Sequence, residues 1–128
     1  MPRPVHFEIH ASDPESLRTF YERLLGWTFS RWGDVPYWLV MTGAEGTPGI
    51  NGGMLPRQGP PPAPGQAVNA SVLTVEVEDC RATLDAAVGL GATVAVPVTA
   101  TPGIGWLAYV LDPDGNLLGF MQSDPSAA

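Results

Sequence analysis

Nothing constrains this chain more than the stretch from Val5 to Trp27, VHFEIHASDPESLRTFYERLLGW, and a weaker echo of it that starts at Val72. It opens as an alternating strand, with Phe7 and Ile9 on one face and His6, Glu8 and His10 on the other. Asp13 stands where a helix N-cap belongs, with Pro14 at the first helical position and Glu15 behind it. Leu17, Phe20, Tyr21, Leu24 and Leu25 recur at helical spacing, and Gly26 supplies the stop. A strand thus feeds an amphipathic helix through a tight acidic turn. Both histidines lie on the polar face of that strand, so chemistry that needs imidazole belongs there.

The totals narrow the partners. With 128 residues, 45% of them hydrophobic and only 15% charged, the chain can bury a real core. A net charge of −7, with six scattered basic residues, argues against nucleic acid and against an anionic membrane surface. Cys80 is the sole cysteine, which rules out an internal disulfide and a cysteine-rich zinc site. No apolar run approaches the ~20 residues that span a bilayer, and MPRPVHFE lacks the apolar centre of a signal peptide. A cytoplasmic protein with a small ligand is the expectation.

Along the chain, WTFSRW, Tyr37 to Thr42 and the glycine-broken Ile50 to Leu55 read as strands. PRQGPPPAP, from Pro56, is too proline-rich for helix or central strand and reads as an extended linker. The pattern then restarts. Ser71 to Val77 alternates, Asp79 caps a helix faced by Leu84, Ala87, Val88 and Leu90, and Gly91 closes it. Thr93 to Val98, Trp106 to Leu111 and Leu117 to Gln122 read as strands, the last two joined by the DPDGN turn. The halves overlay: Asp13 on Asp79, Leu24 on Leu90, Gly52-Gly53-Met54 on Gly119-Phe120-Met121. The expected fold is α+β, with two βαβββ modules forming a curved sheet or half-barrel around a cavity. Module one runs from about 3 to 55, the linker from about 56 to 66, and module two from about 70 to 123.

This arrangement resembles the vicinal oxygen chelate superfamily, which contains glyoxalase I, bleomycin-resistance proteins and extradiol dioxygenases. The resemblance rests on the Val5–Trp27 stretch, INGGM, VEVEDCRATLDAAVGLGA and the closing DPDGNLLGFMQ. It implies a divalent metal held by up to four side chains, one from each of four strands, acting as a Lewis acid on two neighbouring substrate oxygens. Carried onto this chain, the four positions fall on His6, Gly52, Val72 and Gly119. Glycine and valine offer no ligand atom, and catalytic zinc sites normally use three protein ligands. His6 is the one metal-ligand candidate, and the metal site reads as degenerate.

His6, Glu8 and His10 invite a metal reading of their own as HxExH. The outer two stand roughly 13 Å apart on a strand at ~3.3 Å per residue, too far for one ion. His6 and Glu8 remain the catalytic candidates, as groups that exchange protons near neutral pH or after a shift by burial. Trp38, Asn51, Trp106 and Met121 are the ligand-binding candidates, the tryptophans as stacking surfaces for a planar molecule. Cys80 falls in the first turn of a helix, where a thiolate is favoured, but has no histidine near it in sequence. Two functions stay open. One is metal-independent binding of a small organic or aromatic molecule in the cavity between modules. The other is a glyoxalase-like lyase or dioxygenase using His6 and Glu8, with metal ligands supplied by a partner chain. The resemblance implies a homodimer in either case, and no cofactor other than a divalent metal.

Overall fold

Two acidic caps start the two helices, and everything else is laid out around them. The computed structural model describes residues 3–128, which divide between Pro61 and Pro62 into two compact units. In the first, β1 (Phe7–Ala11) leads into α1 (Pro14–Leu25), followed by β2 (Thr28–Arg31), β3 (Trp38–Met41) and β4 (Gly52–Pro56). The sheet order is β1-β4-β3-β2, with β1 and β4 parallel and the other pairs antiparallel. Asp13 Oδ1 accepts the Ser16 backbone N–H at 3.3 Å, and Pro14 enters the helix where no N–H partner is needed. Gly26 ends α1 at φ 71, a left-handed conformation that favours glycine.

The alternation of β1 and β3 separates two faces. Ile9, Ala11, Trp38, Val40 and Met54 are buried with Leu17, Phe20 and Tyr21 of α1. Trp27 stacks on Tyr21 at 5.3 Å and meets Phe7 at 5.8 Å, closing this core below the helix. Each fully buried large side chain contributes about 1.5–3 kcal/mol. Glu8, His10, Leu39 and Met41, one residue out of phase, are exposed on the other face.

The second unit repeats the plan. β5 (Leu73–Glu76), α2 (Cys80–Gly89), β6 (Thr93–Thr101), β7 (Gly105–Leu111) and β8 (Leu117–Ser123) form a sheet of order β5-β8-β7-β6, again with its first pair parallel. Asp79 Oδ1 caps α2 through the Ala82 N–H at 3.0 Å. Leu84 and Ala87 of α2 are buried, as are Ala108, Val110, Leu118 and Phe120 of β7 and β8. The DPDGN turn is held by Asp112, whose carboxylate accepts the N–H groups of Asp114 and Asn116 and the Asn116 side-chain amide.

Three boundaries differ from the sequence reading. Pro56 ends β4 beside Ala11 instead of opening the linker; the ladder continues one residue on, where the Arg57 N–H reaches the Ala11 carbonyl at 2.9 Å. β6 runs past Val98 to Thr101. It tolerates Pro97 because it is an edge strand whose register shifts on both sides of Val96. Residues 57–72 contain no helix or strand.

Candidate functional site

Glycines decide what the exposed face of the first sheet can hold. Gly52 and Gly53 are neighbours on β4 and face opposite ways. A Cβ on Gly52 would stand 2.7 Å from the Phe7 ring, so its missing side chain makes room in the core under α1. A Cβ on Gly53 would collide with the Tyr37 hydroxyl. The phenol of Tyr37 therefore lies over Gly53, on the face that carries Glu8.

The loop before β3 aims that phenol. The Trp32 N–H donates to the Tyr37 carbonyl at 2.9 Å, and the Tyr37 N–H donates to Val35 at 2.8 Å. Trp32, 60% exposed, meets the Tyr37 ring edge-on at 5.8 Å. The Tyr37 hydroxyl donates to Glu8 Oε2 at 2.9 Å and lies 2.9 Å from His6 Nε2. His6 Nε2 and Glu8 Oε2 are 3.7 Å apart, with both side chains nearly half exposed. A phenol has one proton, and an ionised carboxylate can only accept, so that proton points at Glu8. His6 Nε2 must then carry the hydrogen of its own bond to the phenol oxygen. The result is a directed chain, imidazole N–H to phenol O–H to carboxylate. Partial burial pushes the Tyr37 pKa above its ordinary 10.0, and the hydrogen bond to Glu8 and that residue's charge push it further the same way.

The register corrects one position of the metal scheme. Glu8 pairs with Gly53, and Thr74 pairs with Gly119. The same interval separates Asp13 from Asp79, Glu8 from Thr74 and Gly53 from Gly119. Gly53 is thus the counterpart of Gly119, and Met54 the counterpart of Phe120, both completely buried. Gly52, pointing into the core, is not a ligand position. The correction leaves the metal no better served. Tyr37 fills the space over Gly53, the Tyr109 ring comes within 2.7 Å of where a Gly119 Cβ would be, and Val72 has no donor. Among the described residues, no three of His, Cys, Asp and Glu gather where they could hold an ion. These residues do not fit the family's metal.

The remaining candidates disperse. Trp38 is buried on the α1 side of its sheet, opposite His6 and Glu8, with the Arg31 guanidinium 5.2 Å from its ring centre. Trp106 is half-buried and donates its indole N–H to Asp124 Oδ2 at 3.0 Å. Hydrogen bonds from Ser126, then from Trp106, hold the Asp124 carboxyl below its ordinary 3.8. Asn51 Oδ1 accepts the Thr42 N–H at 2.9 Å, beside a shallow depression of about 280 Å³ in the 42–49 loop. Met121 lies between Glu76 and Leu107 on the second sheet. Cys80 is completely buried; burial, then the Asp79 charge, raises its pKa, and the thiolate expected at a helix start is disfavoured.

The sequence reading missed Tyr37 while pointing to its neighbour Trp38. Parity was the available signal. In YWLVM, Trp38 and Val40 share the buried face, which leaves Tyr37, Leu39 and Met41 on the other.

The comparisons with known proteins agree on the fold. The model of the Glyoxalase/Bleomycin resistance protein/Dioxygenase superfamily matches residues 3–120. A glyoxalase-related enzyme from Fulvimarina pelagi is similar at 18% identity and TM-score 0.72, covering 100% of this chain and 98% of its own. A glyoxalase/bleomycin resistance protein/dioxygenase family enzyme from Burkholderia phytofirmans PsJN matches at 16% and 0.72, covering 93% and 97%. A glyoxalase/bleomycin resistance protein from Albidiferax ferrireducens T118 matches at 23% and 0.63, covering 94% and 98%. No curated protein matches. Paired βαβββ units with a shared strand order, together with a family match over nearly the whole length, place this chain in the glyoxalase/bleomycin resistance protein/dioxygenase superfamily.

Proposed function

We propose that this protein binds a small, partly aromatic organic molecule on the exposed face of the first sheet, without a metal. The observation that carries the reading is Tyr37 over Gly53. The phenol fills the space in which a metal-ligating side chain would extend, and it turns His6 and Glu8 into one hydrogen-bonded polar group. Trp32, Leu39 and Met41, all exposed, supply apolar surface in the same unit. A few convergent polar atoms beside apolar and aromatic surface is the usual make-up of a small-molecule site. Exposed Val35, Leu39 and Met41 also support association into a homodimer, which sedimentation tests directly. A cytoplasmic location goes with this reading, since one buried cysteine asks nothing of an oxidising compartment.

The test pairs metal with ligand. Nickel, zinc and manganese titrations of wild type and His6→Ala are expected to show no stoichiometric site, while planar aromatics quench tryptophan fluorescence saturably. One equivalent of metal, lost in His6→Ala, would overturn the reading. The directed chain favours a second reading as well, a glyoxalase-like lyase or dioxygenase in which His6 and Glu8 move the proton. Turnover in glyoxalase or dioxygenase assays, abolished in Glu8→Gln, separates it from simple binding.

A further inference from the structure

The polarity of the His6–Tyr37–Glu8 chain says which end of a ligand it can accept. This inference rests on the binding reading above and narrows it to a ligand class. Every donor in the group is already spent within it. The phenol proton goes to Glu8 Oε2, and the His6 Nε2 hydrogen goes to the phenol oxygen. Among the described residues, the second carboxylate oxygen, Glu8 Oε1, and the second ring nitrogen, His6 Nδ1, have no hydrogen-bond partner. With Nε2 protonated, Nδ1 of a neutral imidazole holds a lone pair. With the imidazole neutral, the group therefore offers the solvent two acceptors and no free donor, and one of the acceptors is charged.

We infer that the site selects a planar ligand bearing paired N–H donors, of the amidine or amino-heterocycle kind, and rejects a carboxylate of the same shape. A ligand N–H can satisfy Glu8 Oε1, and a further donor can satisfy His6 Nδ1. A carboxylate meets two acceptors, and the Glu8 charge repels it. Tyr37 sets the preference without touching the ligand, because its single proton fixes which imidazole nitrogen is left open. It is a positioning residue.

Benzamidine, benzamide and benzoate share one shape. The first is a cation with the most N–H donors, the second is neutral with fewer, and the third is an anion with none, so the neutral benzamide separates donor count from cationic charge. Tryptophan fluorescence and amide NMR shifts are expected to rank them in that order, with benzamidine bound at least about tenfold tighter than benzoate, the size of one charge-assisted hydrogen bond. The shifts should centre on Glu8 and Gly53. In Glu8→Gln, a carboxamide replaces the charged acceptor and brings a donor. The benzamidine preference should shrink by about tenfold, and benzoate should bind more tightly than to wild type. A variant that merely misfolded would lose all three ligands together, which circular dichroism detects. His6→Phe, keeping a ring but no acceptor, should lower benzamidine affinity and should not weaken benzoate.

Benzoate binding as tightly as benzamidine, or a ranking untouched by Glu8→Gln, overturns the inference. If none of the three binds but neutral aromatics still quench, the donor preference falls and the binding reading stands. If no aromatic molecule binds at all, both fall.

Discussion

The two sheets clear the same spot with glycine and fill it with tyrosine, yet only one of them builds a polar group there. In the second unit Tyr109 is the direct cross-strand partner of Gly119, and its ring edge lies against that glycine beside the Thr74 hydroxyl. In the first unit the direct partner of Gly53 is Leu39. The phenol comes instead from Tyr37, two residues earlier, and reaches across so that its hydroxyl, not its ring edge, stands over the glycine. Where Tyr37 meets Glu8, the second unit has Thr74 at the matching register, which cannot ionise. One backbone plan thus carries two chemistries. The difference is made by the side chain beside the glycine and by the loop that aims the tyrosine.

Truncating the matched core residues tests the pairing on which this comparison rests. Met54 and Phe120 are counterparts, both with no exposure. Phe120→Ala is expected to cost about 3–5 kcal/mol and Met54→Ala about 2–5 kcal/mol in urea unfolding. A loss below about 1 kcal/mol at either position breaks the alignment of the two units. Filling the glycines comes next in size. Gly53→Ala forces the Tyr37 hydroxyl aside, at about 1–3 kcal/mol, and takes the His6–Tyr37–Glu8 chain and ligand binding with it. Gly119→Ala presses on the Tyr109 ring and Thr74 at similar cost but should leave binding in place. Equal losses of binding from the two variants would show that the polar group is not the site.

The outline of both units was legible because it depends on local rules. The Asp13 and Asp79 caps, the α1 spacing ending at Gly26, and the alternation of Phe7 and Ile9 against Glu8 and His10 each follow from a few adjacent residues. The site was half legible. His6 and Glu8 announced themselves as polar positions at and before β1, but their partner lies 29 residues beyond Glu8, in the loop that leads into β3, and nothing local reveals the contact. A one-residue slip exchanges the faces of a strand, and that slip separates Gly52 from Gly53 and Trp38 from Tyr37. The unpatterned stretch from 57 to 72 fixes no register for the residues around it. Nothing local in a proline run specifies pairing.

The smallest effect is the most diagnostic. Tyr37→Phe removes one hydroxyl and should cost about 1 kcal/mol at neutral pH, since the bond it donates is exchanged for bonds with water. Its pH dependence separates a structural bond from an inert contact. The Tyr37 pKa is raised above 10.0 in the folded protein, by burial first and by Glu8 after it. A raised pKa means that the protonated phenol is the stabilising form. The contribution is therefore complete below the unfolded value and is lost as pH climbs through the folded one. Wild type should lose its advantage over Tyr37→Phe only on the alkaline side of about pH 10, as deprotonation sets a phenolate beside the Glu8 carboxylate. Chemical unfolding of both proteins from pH 7 to 11, alongside phenolate absorbance, reads the difference. A gap that stays constant across that range would mean that Tyr37 stands near Glu8 without bonding to it, and the first sheet would then be no more polar than the second.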